Sequence, residues 1–160
     1  MCKSYLDRLV PIALVIALVA LLTGCAAMGS MMIHEQQSPY DFDKTVATIN
    51  ENAKAAGWVI PTVYDFQDIL IRDKKPDPGK IKVIKICKAD IASELFTSDD
   101  SKFVSVVAPC SISVYEKTDG RTYVSTMNMA LMSKLFTSKI NQTLSRVAED
   151  DERITEFLLK

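Results

Sequence analysis

Two cysteines stand in the body of the sequence, Cys87 closing "KIKVIKIC" and Cys110 in "VVAPCSISVYEK", 23 residues later. Cys87 sits just ahead of "KADIASELF", a stretch with helix-forming content. Amide donors and the dipole at a helix N-terminus lower a thiol's pKa and make it more nucleophilic. Four chemistries compete for the pair. A structural disulfide would constrain a loop of this length by about 3 kcal/mol in the chain-entropy account. A redox or sulfur-carrying dithiol, a metal or haem site, and two unlinked thiols packed as small hydrophobes are the others. The metal reading has support in Met28, Met31 and Met32 beside His34, and in Met127, Met129 and Met132 near the end of the last strand. Thiol, thioether and imidazole together suit Cu(I), whereas methionines at strand-to-helix junctions also serve to fill gaps in a core. Cys87, Cys110, Met127, Met129 and His34 are thus the weak metal candidates.

Other catalytic constellations are missing. His34 is the only histidine, which excludes His-rich zinc sites and any Ser-His-Asp or Cys-His arrangement that does not use it. No G-x-S-x-G elbow, P-loop or G-x-G-x-x-G occurs, and five glycines are too few for a phosphate cradle. The acidic pairs in "DFD", "SDD" and "EDDE" read as solvated caps and loops. No catalytic residue and no cofactor is assigned.

The elements that would position the thiols follow from periodicity. "SMMIHEQQ" reads as a short strand ended by the turn "SPYD". A helix follows, with Asp41 as N-cap, Phe42, Val46, Ile49, Ala53 and Ala56 on one face, and Gly57 where a left-handed C-cap belongs. "WVIPTVYDF" is β-rich, with Pro61 marking an edge or a bulge. "QDILIRDKK" holds a helical turn, "PDPGK" is a loop, and "KIKVIKIC" alternates with apolar groups on both faces. The short helix after Cys87 has Asp90 as candidate cap and Ile91, Leu95 and Phe96 as its buried side. Three strands are then expected, "FVSVVA", "SISVYEK" and "RTYVSTMNM", the last two an antiparallel hairpin through "TDG". From Ala130 onward the helical pattern returns, with "TSKINQ" or "EDDE" as its point of interruption. The expectation is a single α+β domain.

The N-terminus bears on compartment. Lys3 and Arg8 precede an apolar run from Ile12 to Leu22, and "LTGC" from Leu22 to Cys25 follows at once. Eleven helical residues span only about 16 Å, roughly half a hydrocarbon core, so a cleaved signal fits better than a spanning helix. "LTGC" resembles the lipobox of bacterial lipoproteins, which implies cleavage before Cys25 and acylation of its thiol; two or more acyl chains hold a small domain on a bilayer. Residues 1–24 are then the signal peptide, 25–30 a lipidated tether and 31–160 the domain. Residue 26 is Ala rather than Asp, which favours the outer membrane where there are two, with the domain facing the periplasm or the exterior. Loss of Lys3, Arg8 and Asp7 takes the charge from −1, with 19 basic and 20 acidic residues, to −2, with 17 and 19. No basic stripe exists to neutralise phosphates, so nucleic acid is excluded as a partner. Cys2 leaves with the signal, and an even pair, Cys87 and Cys110, remains for the folded body, as a disulfide in an exported protein would require.

Three segments, "SPYDFDKTVATINENAKAAGW", the cysteine followed by a short helix ending in Leu-Phe, and "PCSISVYE…DG…YVS", resemble the domain of unknown function 302 family over about Met31 to Phe136. The resemblance implies a β-α-β4-α arrangement: an antiparallel sheet of about five strands packed by helices, a long C-terminal helix, and a tendency to dimerise, with no activity established. The chain departs from the family pattern at Lys88 and Ala89, where Asn-Pro is frequent, and at "MNMALM", where a proline follows the last strand. The function expected is that of a membrane-anchored lipoprotein carrying a binding or accessory module of unknown ligand. The alternatives are thiol-dependent redox or sulfur transfer through Cys87 and Cys110, and Cu(I) or haem binding.

Overall fold

The computed structural model describes residues 29–136 and 138–159. Residues 1–24, expected to be a signal peptide, together with Cys25 and Met28, lie outside the described residues. Ile33–Lys160 forms one compact unit, and among the described residues no helix is long and apolar enough to cross a membrane.

Five strands make one antiparallel sheet: β1 (Ile33–Gln37), β2 (Val59–Asp65), β3 (Ile81–Cys87), β4 (Cys110–Glu116) and β5 (Thr122–Met127), in the order β1-β5-β4-β3-β2. The expected fold class is what the structure has. Strand alternation sends Ile84, Ile86, Ile112, Val114, Val124 and Thr126 to one face, where all are buried. Helix α1 (Phe42–Ala55), α3 (Ala89–Phe96) and the long α5 (Ser138–Thr155) cover that face through Phe42, Ile49, Ala53, Ile91, Leu95, Leu144, Val147 and Ile154, and the short α2 (Phe66–Arg72) follows β2. The other face carries Val83, Lys85, Ser113, Tyr115, Tyr123 and Ser125, all half-buried. On it Lys117 lies over the Tyr123 ring at 3.9 Å and donates to Glu35 at 2.7 Å, pinning edge strand β1 to the sheet.

The caps work as the residue types require. Asp41 accepts the Lys44 amide at 2.8 Å. At the other end Gly57, at φ +79°, lets its own amide reach the Lys54 carbonyl at 3.0 Å and the Trp58 amide reach Ala53 at 2.9 Å. That is a Schellman motif, and it turns the chain so that Trp58 enters the core. Pro61 falls in edge strand β2, within the register shift between Val59 and Thr62. In the β4–β5 hairpin Gly120, at φ +75°, completes the turn.

Four local expectations are corrected. "FVSVVA" is no strand: Lys102–Val107 is a 3-10 helix with i→i+3 bonds such as Val104 to Ser101 at 3.0 Å. Both flanks of β4 are already taken by β3 and β5, so β propensity there finds no edge to pair with. Strand β1 begins at Ile33, and residues 29–32 are helical instead. Asp90 lies inside the first turn of α3, whose cap position is Lys88. Of the two alternative break points in the C-terminal helix the first is the nearer, since α4 (Met129–Ser133) ends before α5 begins at Ser138, whereas "EDDE" runs unbroken through α5.

Candidate functional site

Cys110, Cys87, Val59, Met127 and Ile33 stand at one end of the sheet, since they begin or end their strands there. Under the helices at this end lies a cavity of about 50 Å³, walled by Trp58, Ile86, Val107, Cys110, Met127, Met129, Val147 and Asp151 among others. A second space of about 30 Å³ shares Trp58, Cys110 and Met129 with it and extends to Cys87 and Lys88. A pocket for an organic ligand takes several hundred Å³. Rooms of this size suit an ion or a few waters.

The structure brings Cys87 and Cys110 close and leaves both as free thiols. Cys110 pairs with Ile86 across β3–β4 and shares its covered face, so alternation turns Cys87, the next residue, toward the other face. By register the two side chains leave the sheet on opposite faces, and no disulfide joins them in this structure. Burial pushes the Cys110 thiol up to about 12, with the charges of Asp151 and Cys87 adding to the shift. A thiol so held stays protonated near neutrality and is a poor nucleophile. Of the metal candidates, Cys110, Met127 and Met129 come together in one cavity wall; His34 stands apart from it. Among the described residues no group of three or more His, Cys, Asp or Glu is arranged to hold a metal.

The acidic run "EDDE" supplies what sequence reading missed. Asp150, its side chain 4% exposed, accepts from Lys88 at 2.8 Å and from the Trp58 indole at 3.0 Å, and Arg153 pairs with its second oxygen. Burial works against its charge, but the hydrogen bonds from Lys88 and Trp58 and the charges of Lys88 and Arg153 outweigh burial and hold the carboxyl below its usual range. Lys88 also donates to the Ala56 carbonyl at 3.0 Å. This cluster therefore bolts the ends of α1 and β3 to α5. Lys88 is a position where the chain departs from the Asn-Pro pattern, and its amine makes the bond across to α5.

Asp151 has the opposite environment. Burial pushes it up to about 6, the Thr126 hydroxyl partly offsets this by donating to it, and Glu152 adds to the rise. It lines the inner cavity and also a larger groove of about 290 Å³ between the β1–β5 edge and the end of α5, with His34, Gln36, Thr126, Glu152 and Leu158. One carboxyl thus borders both spaces. The signal for it was in the apolar spacing of α5: Val147 and Ile154 are buried, and Asp150 and Asp151 stand three and four residues after Val147, on the same helical face.

Comparison with known proteins agrees with this architecture. The pattern of "Domain of unknown function DUF302" matches residues 34–158. A solved structure, an uncharacterized conserved protein DUF302 from Bacillus stearothermophilus, is similar with a TM-score of 0.68 at 13% identity, over 81% of this chain and 97% of that one. Likeness at that identity concerns the fold. No curated relative matches the chain.

Proposed function

Because the chain belongs to the DUF302 family, whose description names no activity, its functional reading comes from its own residues, and we propose that it is a lipid-anchored envelope protein whose domain binds a small ligand in the groove beside Asp151. The lipobox "LTGC" supports the anchor. The observation that carries the binding half is Asp151, a carboxyl at the boundary of a groove of about 290 Å³. A preformed concave space with one perturbed titratable group is the default place for a ligand. Asp151 and Glu152 favour a ligand with a cationic or hydrogen-donating end, and Val124, Leu158 and Leu159 receive its apolar part.

A titration of mature protein with a small alkylammonium ion at about pH 5 and about pH 7.5 tests this, because Asp151 is charged only at the higher value. Binding should be stronger at the higher pH and be lost in Asp151→Asn. Equal binding by the variant would remove the site.

A second reading is supported by one observation, the meeting of Cys110, Met127 and Met129 in the inner cavity. A protein thiol and two thioethers are soft donors of the kind that select Cu(I). Cu(I) added under anaerobic conditions should then bind one per chain and be lost in Cys110→Ser; binding unchanged in that variant would end the reading. Thiol transfer has less support, since the protonated Cys110 is poorly disposed to attack.

A further inference from the structure

The end of the sheet where the chain enters the domain carries a group of strongly exposed apolar side chains. Ile33, the first residue of β1, is 56% exposed and stands across from Met127, 40% exposed. In the 3-10 helix that leads into β4, Val106 is 86% exposed and Phe103 60%. Phe103 packs on Phe136 with ring centroids 6.1 Å apart, and Leu135, adjoining it in the α4–α5 turn, is 66% exposed. Val107 and Met127 line the same cavity, which links the two groups of residues. At the opposite end the β4–β5 hairpin is formed by Lys117, Thr118, Asp119 and Arg121, all exposed, and the apolar groups there, Phe66 at 38% and Ile71 at 50%, are less exposed than Phe103, Val106 and Leu135.

We propose that this apolar end, with Phe103, Val106 and Leu135 foremost, rests on the lipid bilayer that holds the chain, so that the domain is oriented on the membrane rather than swinging free. The inference rests on the acylation of Cys25 proposed above. It follows from where the domain begins: Ile33 is eight residues past Cys25, and eight residues extend at most about 28 Å. A domain held so closely by that end presents its nearest surface to the lipid. That surface carries large aliphatic and aromatic groups, which gain by leaving water for the interfacial region of a bilayer. Lys102 and Lys134 flank the patch at its edge and suit lipid phosphates; Asp99 already pairs with Lys102, and Asp100 is exposed beside it. The attraction is thus mainly apolar rather than a matter of net charge. The consequence for the groove beside Asp151 is a fixed distance and angle to the membrane.

The test uses the full acylated protein reconstituted in phosphatidylcholine–phosphatidylglycerol vesicles containing doxyl-labelled lipid. Val106→Trp and Leu135→Trp variants are compared with Thr118→Trp in the hairpin, each after subtraction of the Trp58 signal. Since all three positions are exposed, the substitutions leave the core untouched. Emission from the first two should be lost to the lipid quencher while Thr118→Trp keeps its own. Equal emission at the two ends, in protein that floats with the vesicles, would overturn the docking and leave the anchor standing. An intact mass showing no acyl group on Cys25 would overturn the anchor, and with it the tether geometry on which the docking depends. A Val106→Trp emission in lipid-free Cys25→Ala protein that shifts to the blue with rising protein concentration would assign the patch to a second copy of the chain, against the lipid assignment.

Discussion

Lys88 and Asp150 are joined at 2.8 Å across the interface between the β3–α3 junction and helix α5, with the lysine side chain 27% exposed and the aspartate 4%. The pair shares its carboxylate with the Trp58 indole, so a single buried group ties three parts of the chain together. Removing one partner of a buried pair leaves the other charge without compensation, which costs about 3–5 kcal/mol when burial is complete. Lys88 keeps some water, so the loss for Asp150→Ala falls near the lower figure. Urea unfolding should show Asp150→Ala less stable by roughly 3 kcal/mol. Lys88→Met should lose less, because Trp58 and Arg153 still serve Asp150. Equal losses would mean the lysine alone satisfies the carboxylate.

Stability should depend on pH in two opposing ways. Asp151 rises from 3.8 to about 6 on folding, so the folded state binds the proton more tightly than the unfolded chain. Its contribution is most favourable below the unfolded value and is lost as pH rises through about 6, a difference of about 3 kcal/mol at 1.36 kcal/mol per unit. Asp150, held below its ordinary value, contributes above that value and loses its contribution as pH falls through its folded pKa. Asp151→Asn should therefore be more stable than the natural protein at about pH 8 and differ little from it at about pH 4. A variant whose stability does not pull ahead of the natural protein's as pH rises would contradict the burial of Asp151 as a charge.

Thiol chemistry should separate the two cysteines. With Cys110 pushed up to about 12, alkylation of native protein by iodoacetamide at neutral pH should leave Cys110 intact, and unfolding should release it. Mass spectrometry of peptides reads the site directly. Cys110 that is alkylated as fast in the native as in the unfolded protein would contradict its burial.

Gly57 gives a purely conformational prediction. Its φ is +79°, and a Cβ there would meet only the Lys88 Cε at 3.7 Å, an ordinary contact. Gly57→Ala should cost about 1–2 kcal/mol, the left-handed backbone penalty, without altering the packing of Trp58. Its measure is the unfolding midpoint together with unchanged near-ultraviolet dichroism.

The architecture was legible wherever periodicity and punctuation agreed. Asp41 and Gly57 bounded α1, Pro61 marked the irregular edge strand, and "TDG" marked the hairpin. "FVSVVA" misled because a β-rich run becomes a strand only where a free sheet edge receives it. The candidate site was half legible. Cys110, Met127 and Met129 were chosen by chemical type, and the structure brings them together; Cys87 is near Cys110, but strand alternation turns it toward the other face. Asp150 and Asp151 were passed over because an acidic run is read by default as solvated. Only the position of α5 against the sheet makes one a clamp and the other a lining group. Lys88 was noted as a departure from the family pattern, but its partner lies 62 residues away, beyond any local signal.

The proposed anchor is tested most directly by the intact mass of the protein extracted from its own membranes. A chain beginning at Cys25 and carrying two or three acyl groups is the predicted result. A mass that begins at Met1 with an unmodified Cys25 would contradict the account, and would make Ile12 to Leu22 an uncleaved anchor.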